Sequence, residues 1–509
     1  MTESPSDYGL PHPGWRPSQK QLLDAVLNMQ SPATLIVEAP TGFGKTGVVA
    51  AVGHEDKALA LMLTKDLQDQ YSRIYDFDTI YGRSNYPCTH PKYAKSWQKA
   101  YGYPRSADDC PYPKMKDCDI SCPYKTAKAA AHGSNKVAMN YSYGWFAEWW
   151  HHRDGYLFAD EAHNLAISVI SNLAQLRVSE RQRNNWNLPK FPACSGTTDW
   201  AKDEVFEWLE HAIPIMGGTI GQMKDSKDKS KGTLLHRRLV MLRQLLTDGI
   251  WHIKGTNIGN KEIPPHLVCR PVNPKVFAPR LLGHHSKVVL MSATIGDSSM
   301  LASELGIEDY EFKSFPHNID PSRRPVFWYE DAPRMNYRST YQDYEHQADI
   351  IAEVCRRHKG ERILIHTTRW KHARDLADRL ARKGLQDRVW VPEQGIGRIQ
   401  QIQKLVNPTQ TDLIAIGPSF WEGLDLKDDL CRCVIIAKVP FSDRSDPVVA
   451  ARLRQPGGIK WDHWCAALKV VQGAGRGVRD ADDYAATYIC DANWSGVAKY
   501  APKWFEIQT

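Results

Sequence analysis

No run of 18 consecutive apolar residues occurs in this sequence, so no segment reads as a membrane span. Met1 to Trp15 is polar and proline-rich, with neither a basic start nor an apolar stretch, and a secretory leader is not expected there. No internal repeat is evident, and no nuclease or deaminase signature stands out toward either end. Eleven cysteines, an odd number in a chain of 509 residues, fit a secreted disulfide framework poorly. The expectation is a cytoplasmic protein in which some cysteines bind metal. A net charge of +7 permits a nucleic-acid partner without arguing for one. The 17 tryptophans read mainly as core, with some available to stack on bases.

What is present is organised around Leu35 to Val49. The apolar run Leu35-Ile36-Val37-Glu38 ends in the turn Ala39-Pro40-Thr41-Gly42-Phe43-Gly44-Lys45-Thr46 and opens onto a helix-compatible segment. That order is the context of a phosphate-binding loop, where backbone N–H groups of the turn and of the helix N-terminus converge on an anion. Lys45 is expected on the β/γ-phosphates and Thr46 on Mg²⁺. Ala39 stands where the general pattern has its first glycine. Upstream, Arg16-Pro17-Ser18-Gln19 precedes an amphipathic run with Leu22, Leu23, Val26 and Leu27 on one face, and Ser18 reads as its N-cap. A second apolar strand, Ala58 to Leu63, leads into Thr64 to Gln70. A third, Tyr156 to Ala159, runs into Asp160-Glu161-Ala162-His163. An acidic pair at a strand end suits Asp160 to Mg²⁺ and Glu161 to polarising an attacking water. Strand and helix alternate as in a parallel α/β unit, with ligands at the strands' C-terminal ends.

Two stretches exceed what such a unit needs. The first holds Cys88, Cys110, Cys118 and Cys122, spaced C-x21-C-x7-C-x3-C in a segment rich in Pro, Tyr and Lys. Two C-x2-C hooks are lacking, so the spacing alone leaves zinc and an iron–sulfur cluster both open. The second, about 175–265, reads as mainly helical, with Leu235, Leu239, Leu242 and Leu246 at helical spacing and a solvated loop from Lys224 to Gly232.

After a strand from Val288 to Met291 and Ser292-Ala293-Thr294, the turn-rich stretch Pro316 to Pro325 reads as a domain link. A second α/β block follows, with strands Arg362 to His366, Leu413 to Ile416, Val434 to Val439 and Ala486 to Cys490. Its helix Trp370 to Lys383 stops at Gly384. Two such blocks with one phosphate loop place ATP between them, with charge supplied by the second. Gln472-Gly473-Ala474-Gly475-Arg476-Gly477-Val478-Arg479 fits that role; guanidinium groups on a transferring phosphoryl are worth on the order of 10³–10⁵ in rate.

In order, these motifs resemble those of superfamily-two helicases of the XPD/DinG group. Arg16 and Gln19 resemble the adenine-sensing Q motif, Ala39 to Thr46 motif I, Thr64 to Gln70 motif Ia and Asp160 to His163 the DEAH box. Ser292-Ala293-Thr294 resembles motif III, Gly417 to Leu426 (with Gly423 and Asp425) motif V, and Gln472 to Arg479 motif VI. Lys438-Val439-Pro440-Phe441 with Ser445-Asp446-Pro447 is most similar to the DinG branch, and Gly82 to Cys88 resembles the entry to that group's cluster domain. The resemblance implies two RecA-like parallel-sheet motor domains, the first from 1–85, 126–174 and 266–318, the second from 319–509. It also implies an iron–sulfur insertion at 86–125 and a small helical Arch-like insertion at 175–265. ATP would be held by Arg16, Gln19, Ala39, Pro40, Thr41, Gly42, Phe43, Gly44, Lys45, Thr46, Gly423, Asp425 and Gln472. Catalysis would rest on Lys45, Asp160, Glu161, Arg476 and Arg479, Mg²⁺ on Thr46 and Asp160, and a 4Fe-4S cluster on Cys88, Cys110, Cys118 and Cys122. The implied activity is a monomeric 5′-to-3′ DNA helicase on single strands and junctions. The alternatives are a translocase that separates no strands and a nucleic-acid-binding scaffold with a relic ATP site.

Overall fold

The computed structural model describes residues 3–102, 104–110, 122–151, 154–171, 175–223, 226–255, 265–393, 398–407, 409–421, 426, 428–478 and 483–508. In chain order the first strands are β1 (Ala33–Glu38), β2 (Ala58–Met62), β3 (Asp78–Ile80), β4 (Lys136–Asn140) and β5 (Tyr156–Asp160). Next come β6 (Leu176–Ser179), β7 (Ser195–Gly196), β8 (Trp251–Lys254) and β9 (His266–Pro271), then β10 (Lys287–Ser292) and β11 (Glu311–Ser314). The last are β12 (Val326–Trp328), β13 (Ile363–His366), β14 (Val389–Trp390), β15 (Ile414–Gly417), β16 (Cys433–Ile436) and β17 (Ala486–Ile489).

They form two parallel sheets and one antiparallel sheet. The first has the order β11-β1-β10-β5-β2-β4-β3 and the second β12-β17-β16-β13-β15-β14. Their central strands are apolar runs buried along their length, such as Tyr156–Asp160 and Ile363–His366, because helices cover both faces of a parallel sheet. Each fully buried Leu, Ile or Val contributes about 1.5–3 kcal/mol relative to exposure. In the first sheet β1, β5 and β10 lie side by side and in register, Glu38 beside Ser292 and Met291 beside Asp160. Segments remote in sequence thus end at one edge.

The second insertion is not simply helical. Two helices, Asp199–Gln222 and Ser226–Leu245, lie against each other, but β6 to β9 build an antiparallel sheet beside them, ordered β6-β9-β8-β7. Strand β9 pairs with both β6 and β8 and so joins His266–Pro271 to this sheet. These strands alternate buried and less buried residues, as a half-covered sheet must, with Trp251 and Ile253 of β8 and Leu267 and Cys269 of β9 inside. Ser226 to Gly232, expected as loop, is the start of the second helix. At Gly232 a Cβ atom would come within 2.6 Å of the Trp186 ring, and this close approach seats the helix's first turns.

Candidate nucleotide site between two domains

The turn after β1 is shaped by Gly42 and Gly44, whose φ angles of 80° and 91° favour glycine. Gly44 caps the helix Lys45–Glu55, so its first N–H groups and the positive end of its dipole face the turn. Lys45 Nζ donates to the carbonyls of Ala39 at 2.8 Å and Pro40 at 3.3 Å. Gln19 Nε2 donates to Gly44 O at 2.9 Å, and Arg16 donates to Gly42 O. Arg16 and Gln19 are thus brought onto the glycine loop. Ser18 differs from expectation: it sits at the helix start with φ 59° and makes no side-chain cap bond. The first turn is tied instead by Arg16 N–H donating to Gln19 Oε1 at 3.0 Å.

Asp160 is buried at the end of β5. Tyr71 OH donates to its Oδ2 at 3.2 Å, Glu161 N–H donates to its Oδ1 at 3.0 Å, and Tyr141 OH donates to its carbonyl at 2.6 Å. Burial first, then the adjacent Glu161 charge, push the Asp160 carboxyl up to about 6, while Lys45 pulls it down. Burial keeps the Tyr71 phenol protonated, a donor to Asp160 that also reaches the Thr46 hydroxyl. Nothing in the sequence marked Tyr71 or Tyr141, since each meets Asp160 only through the sheet. Glu161 has φ 53°, the left-handed region, which costs a non-glycine residue roughly 1–2 kcal/mol.

A polar chain leads from Glu161 across the cleft. Asn164 Nδ2 donates to His163 Nε2 at 2.8 Å, which leaves the neutral ring's proton on Nδ1, 2.6 Å from Ser292 Oγ. The Ser292 hydroxyl donates to Glu161 Oε2 at 3.4 Å and accepts from Thr294 N–H at 3.1 Å. Thr294 Oγ1 accepts from Gln472 Nε2 of the second domain at 3.3 Å. The cleft between the domains has a volume of about 490 Å³ and is lined by Thr41, Glu161, His163 and Thr294 on one side and Gln472 and Arg476 on the other. Arg476 is anchored by donating to Trp421 O at 2.7 Å. The domains are further joined by the buried Arg452–Glu304 pair, by Trp464 Nε1 donating to Ile295 O at 2.8 Å, and by Arg270 donating from Nη1 and Nη2 to the two carboxylate oxygens of Asp446. Gly423, Asp425 and Arg479 lie outside the described residues.

In the cysteine-rich stretch, Cys88 N–H donates to Arg105 O at 2.7 Å, and Arg83 Nη2 donates to Cys110 O at 3.2 Å. A bridge pairs Pro87 with Ser106. Cys122 stands at the N-cap of the helix Pro123–Gly133, and Cys118 lies outside the described residues. Cys88, Cys110 and Cys122 are only half-buried, whereas Cys194, Cys269, Cys355, Cys431, Cys433 and Cys490 are core residues. Among the described residues no three His, Cys, Asp or Glu side chains are gathered as a metal site. The thiols therefore fit a soft metal in kind and in accessibility, but their gathering around one is not part of the described structure. Among those residues, too, no helix is long and apolar enough to cross a membrane.

Residues 351–508 match the helicase C-terminal domain family. The ATP-dependent DNA helicase YoaA of Escherichia coli (strain K12) is 30% identical over 215 residues, covering 40% of this chain and 32% of that protein. Its namesake in Haemophilus influenzae is 27% identical over 309 residues, covering 58% of this chain and 47% of the relative. The chain thus spans about a third to a half of the length of these two relatives. A solved XPD helicase structure superimposes with a TM-score of 0.59 at 16% identity, covering 96% of this chain and 98% of the other, which shows the shared fold.

Proposed function

We propose that this chain is an XPD/DinG-like member of helicase superfamily two, a reading supported by the family match, the YoaA relatives and the shared XPD fold. The chain is an ATP-driven motor that moves 5′ to 3′ on single-stranded DNA and opens duplex ahead of it. The observation that carries this reading is the cleft in which the glycine loop and Glu161 of one sheet face Gln472 and Arg476 of the other. Lys45 takes the β/γ-phosphates, Arg16 and Gln19 the base, and Thr46 and Asp160 hold Mg²⁺, whose charge offsets that of the phosphates. Glu161 orients a water and accepts its proton as oxygen bonds to the γ-phosphorus and the bridge to ADP breaks. Arg476, with Arg479, meets the charge on the transferring group. Gly423, Asp425 and Gln472 complete the site.

Cys88, Cys110, Cys118 and Cys122 would hold a 4Fe-4S cluster, which would supply folding free energy to a stretch too polar for a core of its own. Single-stranded DNA and its junctions with duplex are the partners, the motor acts as a monomer, and the compartment is the cytoplasm. The test is ATP hydrolysis with and without single-stranded DNA, alongside strand displacement on duplexes tailed at either end. Hydrolysis stimulated by the strand and displacement from a 5′ tail are expected. Stimulation with no displacement points to a translocase, and no hydrolysis removes the motor reading.

A further inference from the structure

The link between the two sheets passes through the cleft rather than around it. Phe315 N–H donates to Glu38 O at 2.8 Å, and the Phe315 ring lies 5.0 Å from that of Phe43 in the glycine loop. Two residues on, His317 lines the same cleft as Thr41 and Arg476, and so does Arg324 near the link's far end. Neither residue belongs to the motifs that marked the site in the sequence.

Both side chains are held in place. His317 Nδ1 accepts from Ile319 N–H at 3.1 Å, so the neutral ring carries its proton on Nε2. Burial, with Arg324 and Lys45 nearby, pulls its pKa down to about 3, and the ring stays neutral at physiological pH. Its edge meets the Trp504 ring at 4.9 Å. Arg324 Nε donates to Ile319 O at 3.2 Å and Nη1 to Trp504 O at 2.9 Å, with the guanidinium 5.2 Å from the Trp504 ring centre. Those bonds leave Nη2 uncommitted on a guanidinium that lines the cleft. Arg476 and Arg324 thus bring two cations beside Glu161 to one space of about 490 Å³, an excess suited to a polyphosphate.

We propose that Arg324 and His317 form a third wall of the nucleotide site that takes the terminal phosphate of ATP, Arg324 as a cation and His317 as a neutral Nε2–H donor. The link between the motors then distinguishes triphosphate from diphosphate directly. This rests on the ATP reading above. The competing account makes Arg324 a strut between the link and the C-terminal segment.

Equilibrium binding of ADP and of the non-hydrolysable analogue AMP-PNP to the full chain with Mg²⁺ separates the two. Loss of one charge-assisted contact predicts that Arg324→Ala weakens AMP-PNP about tenfold or more while ADP shifts by less than about twofold. Arg324→Lys should recover part of that difference. His317→Gln, which keeps an N–H donor, should bind AMP-PNP better than His317→Phe. Equal weakening of both nucleotides in Arg324→Ala and Arg324→Lys, or no weakening, overturns the inference while leaving the ATP site in place. A wild-type chain that binds neither probe overturns the ATP reading and this inference with it.

Discussion

The two parallel sheets use the same device to fix their C-terminal edges and then diverge in chemistry. In the first, the buried Glu38 accepts from Ile295 N–H at 3.0 Å, Gly296 N–H at 2.7 Å and Ser314 Oγ at 3.0 Å. In the second, the buried Asp491 accepts from Met335 N–H at 3.1 Å, Asn493 N–H at 3.0 Å and Val439 N–H at 2.9 Å. Burial raises the pKa of both carboxyls, and these donors pull it back down. The first sheet follows its strand with a glycine loop and Lys45, and places the pair Asp160 and Glu161 at a neighbouring strand end. The second offers arginine and glutamine from the end of a helix. One scaffold has been repeated, and the reactive groups are divided unequally over it.

That inequality should give the largest effects. Lys45→Ala removes the phosphate-facing charge, so nucleotide binding and turnover should both fall. Glu161→Gln keeps shape and charge at Asp160, so ATP should bind while hydrolysis drops by about 10² or more. Single-turnover hydrolysis beside nucleotide binding tells the two apart.

The shared device predicts a matched pair of smaller effects. Glu38→Ala and Asp491→Ala each orphan buried N–H donors and should each cost about 3 kcal/mol in urea unfolding. Glu38→Ala should also slow hydrolysis, because Glu38 ends the strand that launches the glycine loop. Asp491→Ala in a folded sample should slow it far less; equal slowing would erase the distinction between the sheets.

The segments that bring Thr41 and Glu161 to the cleft were legible because they are local. A glycine turn between an apolar strand and a helix, and an acidic pair after another strand, declare themselves within a few residues. The rest depends on distance in sequence. Tyr71 and Tyr141 serve Asp160, and Ser292 serves His163, only because the strand order brings them together. Strand β4 offers only Val137, Ala138 and Met139 as apolar residues and is fixed by parallel neighbours on both sides. In the second insertion, alternation in β6, β8 and β9 was a readable strand signal, outweighed by the leucine spacing of the helices beside them.

The smallest predicted effect probes the second sheet's end. His366 is buried beside Trp421, and burial pulls its pKa down to about 3 from 6.5. Below 6.5 the unfolded chain binds a proton that the folded chain refuses, so this contribution is full above 6.5 and is lost as pH falls toward 3. Wild type should lose stability between pH 6.5 and 4.5 more steeply than His366→Gln, by at most about 1.4 kcal/mol per pH unit. Urea titrations at several pH values read the difference, in which carboxyl groups common to both proteins cancel.

The central claim is that the second sheet completes a site whose binding groups belong to the first. Arg476→Ala tests it most directly, with nucleotide affinity and maximal hydrolysis rate measured on the same sample in saturating single-stranded DNA. The account predicts a fall in maximal rate of about 10³ with ATP affinity nearly kept, since the arginine acts on charge that develops during transfer. Weakened ATP binding with the maximal rate preserved would contradict it.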